Sequence, residues 1–207
     1  MRKALLIVSV AVFGLSFGGG EQAVSTFTDK RDGKVYKKVE IGGQVWMAEN
    51  LNYAAEGSKC YDNKTENCAK YGRLYDDYTA YDVCPAGWRL PFDAEWKMLE
   101  DYVGGSEMAG KKLKSSNGWE GNGNGTDEYG FSALSGGLGF SGGRFDGKFN
   151  SAGSSGIWWG MENGAKHRLV RIVRRMEFDK DSVYRYLGPW KTNLYSVRCV
   201  QDKEGEQ

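Results

Sequence analysis

The clearest periodic pattern in the chain lies between positions 95 and 105. Apolar side chains recur there at helical spacing, at Trp96, Leu99, Tyr102 and Val103. Charged residues occupy the opposite face, as in an amphipathic helix. Pro91 stands just before the first turn, acidic residues fill that turn, and two glycines follow at 104–105. Proline at the start, acids in the first turn and glycine after the end together predict a helix.

Two stretches with alternating apolar and polar positions flank a glycine pair early in the chain. Residues 34–41 and 44–47 alternate, and Gly42 and Gly43 separate them. This pattern predicts a β-hairpin with a glycine turn. Later stretches with strand-like patterns predict an antiparallel sheet, at 157–159, 168–176, 182–186 and 195–200.

Two further stretches carry weaker signals. Tyrosine and leucine recur at intervals of three and four over 71–81, which predicts a first helix or a pair of turns. Residues 104–156 are dominated by glycine, serine and asparagine, with isolated aromatic residues between them. Dispersed aromatic anchors indicate long ordered loops packed by their own side chains, and disorder is the alternative.

The N-terminal residues have the pattern of an export signal. Arg2 and Lys3 precede an apolar run over 4–17, and small residues follow. A membrane anchor is the alternative, but the run is shorter than the ~20 residues that span a bilayer. No cysteine follows the run, so the sequence does not predict a lipoprotein. We expect a secreted or extracytoplasmic protein without a membrane span after signal cleavage.

The expected organisation is a single domain with short flanking segments. It comprises a signal peptide at 1–20, a flexible lead-in at 21–32, one domain at 33–202 and a polar tail at 203–207. The 207 residues are 40% hydrophobic, which is enough for one domain with a core. A net charge of +1 gives no electrostatic basis for binding nucleic acid. The single histidine, His167, counts against a histidine-rich metal site and against a Ser/His hydrolase.

Export makes the four cysteines, Cys60, Cys68, Cys84 and Cys199, expected disulfide partners. Four cysteines allow three pairings, and the sequence alone does not choose among them. We prefer Cys60–Cys68 as a local clasp, with Cys84–Cys199 joining the helix entrance to the last strand. A zinc site is the alternative, and the absence of any CxxC spacing counts against it.

Three glycine-rich motifs have features of ligand sites. GSEMAGKK at 105–112 resembles a phosphate loop, but Lys112 stands where Ser or Thr should hold magnesium. GLGFSG at 137–142 matches a dinucleotide fingerprint, but no βαβ unit surrounds it. NGNGTDE at 122–128 offers oxygen ligands for calcium, with a solvated turn as the alternative. We therefore predict no cofactor and no metal.

A tryptophan pair at 158–159 is the best candidate for a binding surface. Indole faces stack on sugar rings, and Glu162, Asn163 and Trp190 are placed to complete such a site. Strand alternation would send one tryptophan inward. We favour burial of both as core, and if one is exposed we expect it to be Trp159. Any ligand surface is then predicted at Trp159, Glu162, Asn163 and Trp190.

A basic strip, formed by His167, Arg168, Arg171, Arg174 and Arg175, offers a second candidate surface. In an extended strand, positions 167, 171 and 175 share one face, and positions 168 and 174 share the other. The strip could meet an acidic polysaccharide. The interpretation we favour is a solvated strand balanced by Glu177, Asp179 and Asp181.

An ordered set of motifs resembles a known family. The motifs are KVY at 34–36, VEIG at 39–42, QVWMAENL at 44–51, CYD at 60–62 with Cys68, YGRLY at 71–75, CPAGWRLP at 84–91, EW at 95–96, GFSAL at 130–134 and SVRCV at 196–200. They resemble the Fibrobacter succinogenes major paralogous domain over about residues 33–202. The resemblance implies an exported bacterial domain, often borne on lipoproteins, and this chain departs from it by lacking a lipobox cysteine.

A wider likeness joins residues 89–96 and 196–200 to the C-type-lectin-like fold, which includes the formylglycine-generating enzymes. It implies an α+β fold with two helices, a mixed or antiparallel sheet, and a long loop region where ligands bind. A disulfide from helix to last strand is common in that fold. Relatives tend to carry Ser or Thr where Phe92 stands, so we expect Asp93 to cap the helix instead. The calcium-dependent sugar motifs of C-type lectins are absent.

These observations lead to one preferred function and two alternatives. The preferred function is a non-catalytic binding or adhesion module of the bacterial surface that recognises a polysaccharide or a cell-surface partner. The first alternative is an oxidase of the formylglycine-generating type. The resemblance implies that such an enzyme needs a reactive thiol pair. The second is a structural surface protein without a specific small ligand.

Overall fold

A computed structural model of the chain describes residues 25–162, 171–188 and 192–203. Within these ranges the strands are β1 (Ser25–Thr28), β2 (Val35–Ile41), β3 (Gln44–Met47), β4 (Leu74–Tyr75), β5 (Trp88–Arg89), β6 (Gly136–Phe140), β7 (Phe149–Ala152), β8 (Ser155–Met161), β9 (Arg171–Glu177), β10 (Val183–Leu187), β11 (Asn193–Ser196) and β12 (Val200–Gln201). The α-helices of the same ranges are α1 (Thr65–Tyr71), α2 (Asp77–Asp82), α3 (Asp93–Tyr102) and α4 (Ser106–Leu113). Single turns of 3-10 helix occupy Tyr61–Asn63 and Gly143–Phe145.

The strands form two sheets in which most neighbours are antiparallel. The first sheet has the order β1-β2-β3-β12-β5. The second has the order β10-β9-β8-β11-β6-β7, and β4 pairs with β11 outside that path. Strands β8 and β11 run parallel to each other. The prediction of an α+β protein with a mixed, mostly antiparallel sheet is confirmed.

The predicted hairpin is confirmed as β2 and β3. Val39 pairs with Trp46 across the two strands. Gly42 and Gly43 form the turn with φ of 60° and 75°, a conformation that favours glycine. Strand β12 pairs beside β3 through Val200 and Trp46, so the end of the chain completes the sheet that the hairpin begins.

The predicted helix after Pro91 is confirmed as α3. Trp96 and Leu99 are buried on its inner face, and the exposed Lys97 and Asp101 form an ion pair of 2.6 Å on its outer face. Trp96, Leu99 and Val103 of the predicted stripe therefore point to the core. Tyr102 departs from the prediction, because it is 57% exposed.

The cap of α3 differs from the expectation. Phe92 is the N-cap residue, and the Glu95 side chain accepts the Phe92 N–H at 2.8 Å. The expectation that Asp93 caps the helix is wrong, because its carboxylate instead contacts Arg174 and Arg185 at 2.8 and 2.9 Å. The hydrogen bond from the Phe92 N–H to Glu95, which is one half of a capping box, is therefore present. The other half is missing, because Phe92 has no side-chain oxygen to accept a backbone N–H.

Strand β8 is buried on both faces and divides the hydrophobic core into two layers. Trp158 packs in the layer that contains Trp46 and Trp96, with its ring centroid 6.4 Å from that of Trp96. Trp159 packs in the opposite layer, with its ring centroid 4.6 Å from that of Tyr195. Alternation along the strand therefore sends the two indoles into different layers of core.

The predicted first helix at 71–81 is divided between the end of α1, strand β4 and α2. Gly72 has φ of 75° and ends α1. Asp76 then caps α2 by accepting a backbone N–H at 2.7 Å. The prediction of two helices is wrong, because the described ranges contain α1, α2, α3 and α4.

The glycine-rich stretch 104–156 is more regular than predicted. It contains α4, β6, β7 and the start of β8, so its long irregular segment is limited to 114–135. Glycine permits close packing here, since a Cβ on Gly139 would lie 2.9 Å from the ring of Phe149. Glycine has no side chain to mark one face of a strand, which hides the alternation from the sequence.

The start of the described chain is a strand, and the expectation of a flexible lead-in is wrong for residues 25–28. Strand β1 pairs with β2 from Ser25 opposite Lys38 to Thr28 opposite Val35. The Phe27 ring stacks on Trp88 with 4.2 Å between the centroids. This aromatic contact, invisible in the local sequence, fixes the segment.

The expected signal peptide at 1–20 lies outside the described residues. Among the helices that the structure describes, none is both long and apolar enough to cross a membrane.

Candidate binding cleft

The predicted tryptophan surface lies in the core. Trp158 and Trp159 are 0% and 1% exposed. The Trp158 indole N–H donates to Asn50 Oδ1 at 2.8 Å, and the Trp159 indole N–H donates to the Tyr75 carbonyl at 2.7 Å. The favoured interpretation of both as core is confirmed. The prediction that Trp159 presents a face to a ligand is wrong.

The other residues of the predicted surface are not brought together by the described structure. Glu162 is exposed just after the end of β8. Asn163 and Trp190 lie outside the described residues, as do His167 and Arg168 of the basic strip. Among the described residues, a candidate binding site is built from other side chains.

The basic strip is paired internally in its described part. Arg174 is 1% exposed, with Nη1 2.8 Å from Asp93 and Nε 2.6 Å from Glu100. Arg175 points to the other face of β9 and pairs with Glu177 at 2.6 Å. The favoured interpretation of a solvated strand is wrong for β9, because residues 172–174 and 176 are buried. The expected charge balance is present, but Glu177 is joined by Asp93 and Glu100 of α3.

The carboxylate of Asp93 joins β9 and β10 to α3. Burial favours its neutral form, but hydrogen bonds from Arg185 and Arg174 outweigh burial and lower the pKa of Asp93 below its ordinary value. Glu100 is more deeply buried, and burial raises its pKa despite the Arg174 charge. These acids serve packing contacts between helix and sheet.

The preferred disulfide pairing is confirmed. Cys60 bonds to Cys68 and Cys84 bonds to Cys199. The first bond clasps the 3-10 turn to α1, and the second joins the chain before α3 to the segment before β12. Since all four cysteines form disulfides, a zinc site built from them is not supported.

The acids of the candidate calcium turn have protein partners. Asp127 accepts the Ser132 N–H at 2.7 Å and the Ser132 hydroxyl at 2.5 Å. Glu128 lies 3.7 Å from Lys112. In the part of the chain that the structure describes, no group of three His, Cys, Asp or Glu side chains could hold a metal.

A buried hydrogen-bond network joins four segments that are distant in sequence. Arg198 is 0% exposed, and its Nη2 lies 2.9 Å from Asn50 Oδ1. The other guanidinium donors reach the carbonyls of Phe131 and Ser132. The Asn50 amide in turn donates to the Tyr71 carbonyl at 2.9 Å. Asn50 and Arg198 therefore hold the hairpin exit, the end of α1 and the 131–132 loop together.

The guanidinium of Arg198 is surrounded by neutral groups. Its central carbon lies 4.3 Å from the Phe131 ring centroid, and no carboxylate of the described residues forms an ion pair with it. Burial lowers the pKa of Arg198 to about 9, so the group stays protonated at neutral pH. A buried charge of this kind is tolerated only where its donors are satisfied, which makes the network essential to the fold.

An open cleft of ≈ 200 Å³ lies against this network, and we refer to it as the Asn52–Lys70 cleft. Asn50 and Tyr71 belong both to the network and to the cleft wall. The remaining lining combines apolar and polar side chains, chiefly Val35, Leu134, Lys34, Glu49, Asn52 and Lys70. A mixture of apolar walls and convergent polar groups is typical of small-ligand sites.

Several polar groups of the cleft are available to a ligand. Among the described residues, the Asn52 side-chain amide has no hydrogen-bond partner and Lys70 has no carboxylate partner. The Lys70 ammonium lies 4.7 Å from the Tyr71 ring centroid. Glu49 uses Oε2 to accept the Lys37 N–H at 2.8 Å. The cleft thus offers an amide, an ammonium and a carboxylate within one small volume.

A second groove of ≈ 170 Å³ runs between the β2–β3 turn and the end of β12. Its lining acids, Glu95 and Asp202, face Arg89 at 2.5 and 3.4 Å. Because both of its acids are already paired, this groove is a weaker candidate than the Asn52–Lys70 cleft.

The family model of the Fibrobacter succinogenes major domain matches residues 39–201, well over half of the chain. This chain belongs to the Fibrobacter succinogenes major domain family. No curated protein and no solved structure shows a significant match.

The motifs that resemble the Fibrobacter succinogenes major domain are the ones that build the buried network and the cleft. QVWMAENL contributes Glu49 and Asn50, YGRLY contributes Tyr71 and Gly72, and SVRCV contributes Arg198. Gly72 is required by close packing, since a Cβ there would lie 2.8 Å from the Asn50 side chain and 2.9 Å from backbone oxygens.

The places of Asn50 and Arg198 in the buried network, and of Asn52 and Lys70 in the cleft wall, were not predicted from the sequence. One signal was present, because SVRCV places an arginine between apolar residues in a predicted strand. A charged side chain at such a position is expected to have a buried hydrogen-bond partner. Here the partner is the side-chain amide of Asn50, which follows the β2–β3 hairpin. Lys70 and Asn52 carry no comparable signal in the sequence.

Proposed function

We propose that this chain is an exported, non-catalytic binding or adhesion module that takes a saccharide unit in the Asn52–Lys70 cleft. The observation that carries the proposal is the set of polar groups in the cleft without protein partners, beside the apolar Val35 and Leu134. Sugars present hydroxyls and C–H faces together, and such a lining matches both. The buried network behind Asn50 holds the wall rigid, which lowers the entropic cost of binding.

The proposal includes an extracytoplasmic location. Two disulfides are typical of proteins from oxidising compartments. The apolar run near the N-terminus supports export through a signal peptide. The partner is then a polysaccharide or another component of the cell surface.

The proposal also includes a C-type-lectin-like fold for the domain. The disulfide from the chain before α3 to the segment before β12 supports that assignment, because the fold commonly ties a helix to its last strand. The alternative of a formylglycine-generating oxidase needs a reactive thiol pair. The commitment of all four cysteines to disulfides favours the binding module over that enzyme.

A glycan array with matched variants tests the proposed function. Wild-type protein is expected to bind a subset of glycans, and Asn52→Ala is expected to weaken that binding while leaving the melting temperature nearly unchanged. Asn150→Ala, at an exposed position of β7 outside the cleft, serves as the control and should bind like wild type.

Two results would contradict this function. Binding that Asn52→Ala leaves intact would move the site away from the cleft. The absence of binding to any glycan would favour the structural surface protein. Free thiols in a titration of the native secreted protein would instead revive the oxidase.

A further inference from the structure

Two charged groups of the Asn52–Lys70 cleft, one ammonium and one carboxylate, lack a charged partner among the described residues. Lys34 is neutralised by Asp32, which lies 2.7 Å from its ammonium. Glu49 is the single carboxylate in the lining, whereas Lys70 lacks a carboxylate partner among the described residues. The charged side chains of the lining that have no charged partner among the described residues are therefore Lys70 and Glu49. A further positive charge lies buried behind the cleft wall.

Behind the wall of the cleft lies the protonated Arg198. Its guanidinium reaches Asn50 Oδ1 at 2.9 Å, and Asn50 lines the cleft. The neighbouring acids that interact with it electrostatically are Asp127 and Glu49. Asp127 keeps its negative charge while it accepts two hydrogen bonds from Ser132, so it offsets part of the Arg198 charge. A charge in a low-dielectric interior acts over a longer distance than one in water, so Arg198 adds positive potential to the cleft wall.

The remaining lining suits a ring with hydroxyl groups. Val35 is 61% exposed although it is apolar, and Leu134 is half-buried, so the two offer an apolar surface to ring C–H groups. The Asn52 amide can both donate and accept, and Glu49 accepts from hydroxyls. The volume of ≈ 200 Å³ is below that of sites for drug-sized ligands, which fits a single ring.

We infer that the ligand of the cleft is an acidic saccharide, whose uronate carboxylate binds the Lys70 ammonium and whose hydroxyls bind Asn52 and Glu49. This inference rests on the proposed function and specifies the chemical class of its ligand. The Lys70 ammonium, which lacks a carboxylate partner among the described residues, carries the inference, since a neutral sugar would leave that ammonium without a counter-charge. An ammonium–carboxylate contact of this kind strengthens binding by about tenfold over its neutral equivalent.

Calorimetric titration with two matched probes tests the inference. Trigalacturonate carries the carboxylates, and its fully methyl-esterified form has the same rings without the charge. We expect the acid to bind about tenfold more tightly than the ester at low ionic strength, with the difference shrinking as salt is added. Lys70→Gln should remove the difference between the two probes, and Lys70→Arg should keep most of it.

Lys148→Gln is the matched control, because Lys148 is exposed and does not line the cleft. It should bind like wild type. Equal affinity of wild type for acid and ester would overturn the inference and leave the proposed saccharide module standing. A preference for the acid that survives in Lys70→Gln would place recognition on another surface, and the inference would fail. No binding of either probe by a folded wild-type protein would contradict the inference, and the glycan array would then decide whether the proposed function fails with it.

Discussion

Arg198 and Asn50 lie 148 residues apart in the chain and meet in the core, where Nη2 of the arginine is 2.9 Å from Oδ1 of the asparagine. The same Oδ1 accepts the indole N–H of Trp158 at 2.8 Å. One amide oxygen thus satisfies donors from two other segments, β8 and the chain before β12. The position of the cleft wall depends on this contact, because Asn50 is part of that wall.

We expect Asn50→Ala to destabilise the protein by about 3–5 kcal/mol, because it leaves a buried guanidinium and a buried indole N–H without their acceptor. The matched control is Asn52→Ala, two residues further on, whose side-chain amide has no partner among the described residues. It should cost less than about 1 kcal/mol. Urea unfolding followed by tryptophan fluorescence measures both. Similar unfolding midpoints for the two variants would show that the network contributes little.

Gly72 differs from Gly43 in its close packing, and its ψ of −170° with a positive φ is a conformation confined to glycine. Both have φ of 75°, but an added Cβ would meet Asn50 and Leu51 backbone oxygens at 2.9 Å at Gly72 and nothing within 4 Å at Gly43. We expect Gly43→Ala to cost about 1–2 kcal/mol from the left-handed conformation alone. Gly72→Ala should cost roughly 2–5 kcal/mol, because overpacking and the conformation confined to glycine add to it. Thermal unfolding of the pair provides the comparison, and equal losses would contradict the packing argument.

The two disulfides should differ in their contribution to stability. Cys84–Cys199 closes a separation of 115 residues and Cys60–Cys68 a separation of 8. In the chain-entropy model these loops are worth about 4–5 and about 2–3 kcal/mol respectively. The double variant Cys84→Ser/Cys199→Ser is therefore expected to unfold at a lower temperature than Cys60→Ser/Cys68→Ser. A lower melting temperature for Cys60→Ser/Cys68→Ser would show that Cys84–Cys199 is not the more stabilising disulfide.

Stability should fall at alkaline pH because of buried tyrosines. Burial raises the pKa of Tyr36 to about 12, and its hydroxyl oxygen accepts the Asn52 N–H at 3.0 Å. Burial also raises the pKa of Tyr75 well above 10. A raised folded-state pKa gives stability that is complete below the unfolded pKa of about 10 and is lost as pH rises toward about 12.

Urea unfolding between pH 8 and pH 12 measures this loss. Tyr36→Phe cannot ionise, so its free energy of unfolding should fall less steeply over the same interval, although it starts lower at pH 8 because the Asn52 N–H loses its acceptor. Parallel slopes for wild type and Tyr36→Phe would show that folding does not raise the pKa of the Tyr36 hydroxyl.

The parts of the fold that the sequence predicted are those with local signals. Helix α3 and the β2–β3 hairpin follow from residue spacing and from Gly42 and Gly43, which need no distant partner. The disulfide pairing was predicted from the expected export, which favours disulfides, and from the position of each cysteine along the chain. The helix and the hairpin depend on neighbours in the chain, so a pattern is enough to find them, whereas Cys84–Cys199 joins residues 115 apart and was chosen from three open pairings.

The failures come from contacts that only the tertiary structure provides. Burial of both tryptophans was the favoured expectation, but the ligand surface predicted at Trp159 assumed that one face of the strand lies in solvent, whereas β8 has core on both faces. Phe27 was expected in a flexible segment, and its partner Trp88 lies in another motif. The cleft assembles Asn52 and Lys70 from two segments with no shared pattern.

The measurement that tests binding at the Asn52–Lys70 cleft most directly is a titration of isotope-labelled protein with trigalacturonate, followed by amide and side-chain NMR spectra. Shifts are expected to concentrate at Glu49, Asn52 and Lys70, and the Asn52 side-chain amide should move the most. Shifts confined to another surface, such as the partly exposed Tyr184 and Tyr186 on β10, would contradict this site, and spectra that do not change at all would contradict binding of this saccharide.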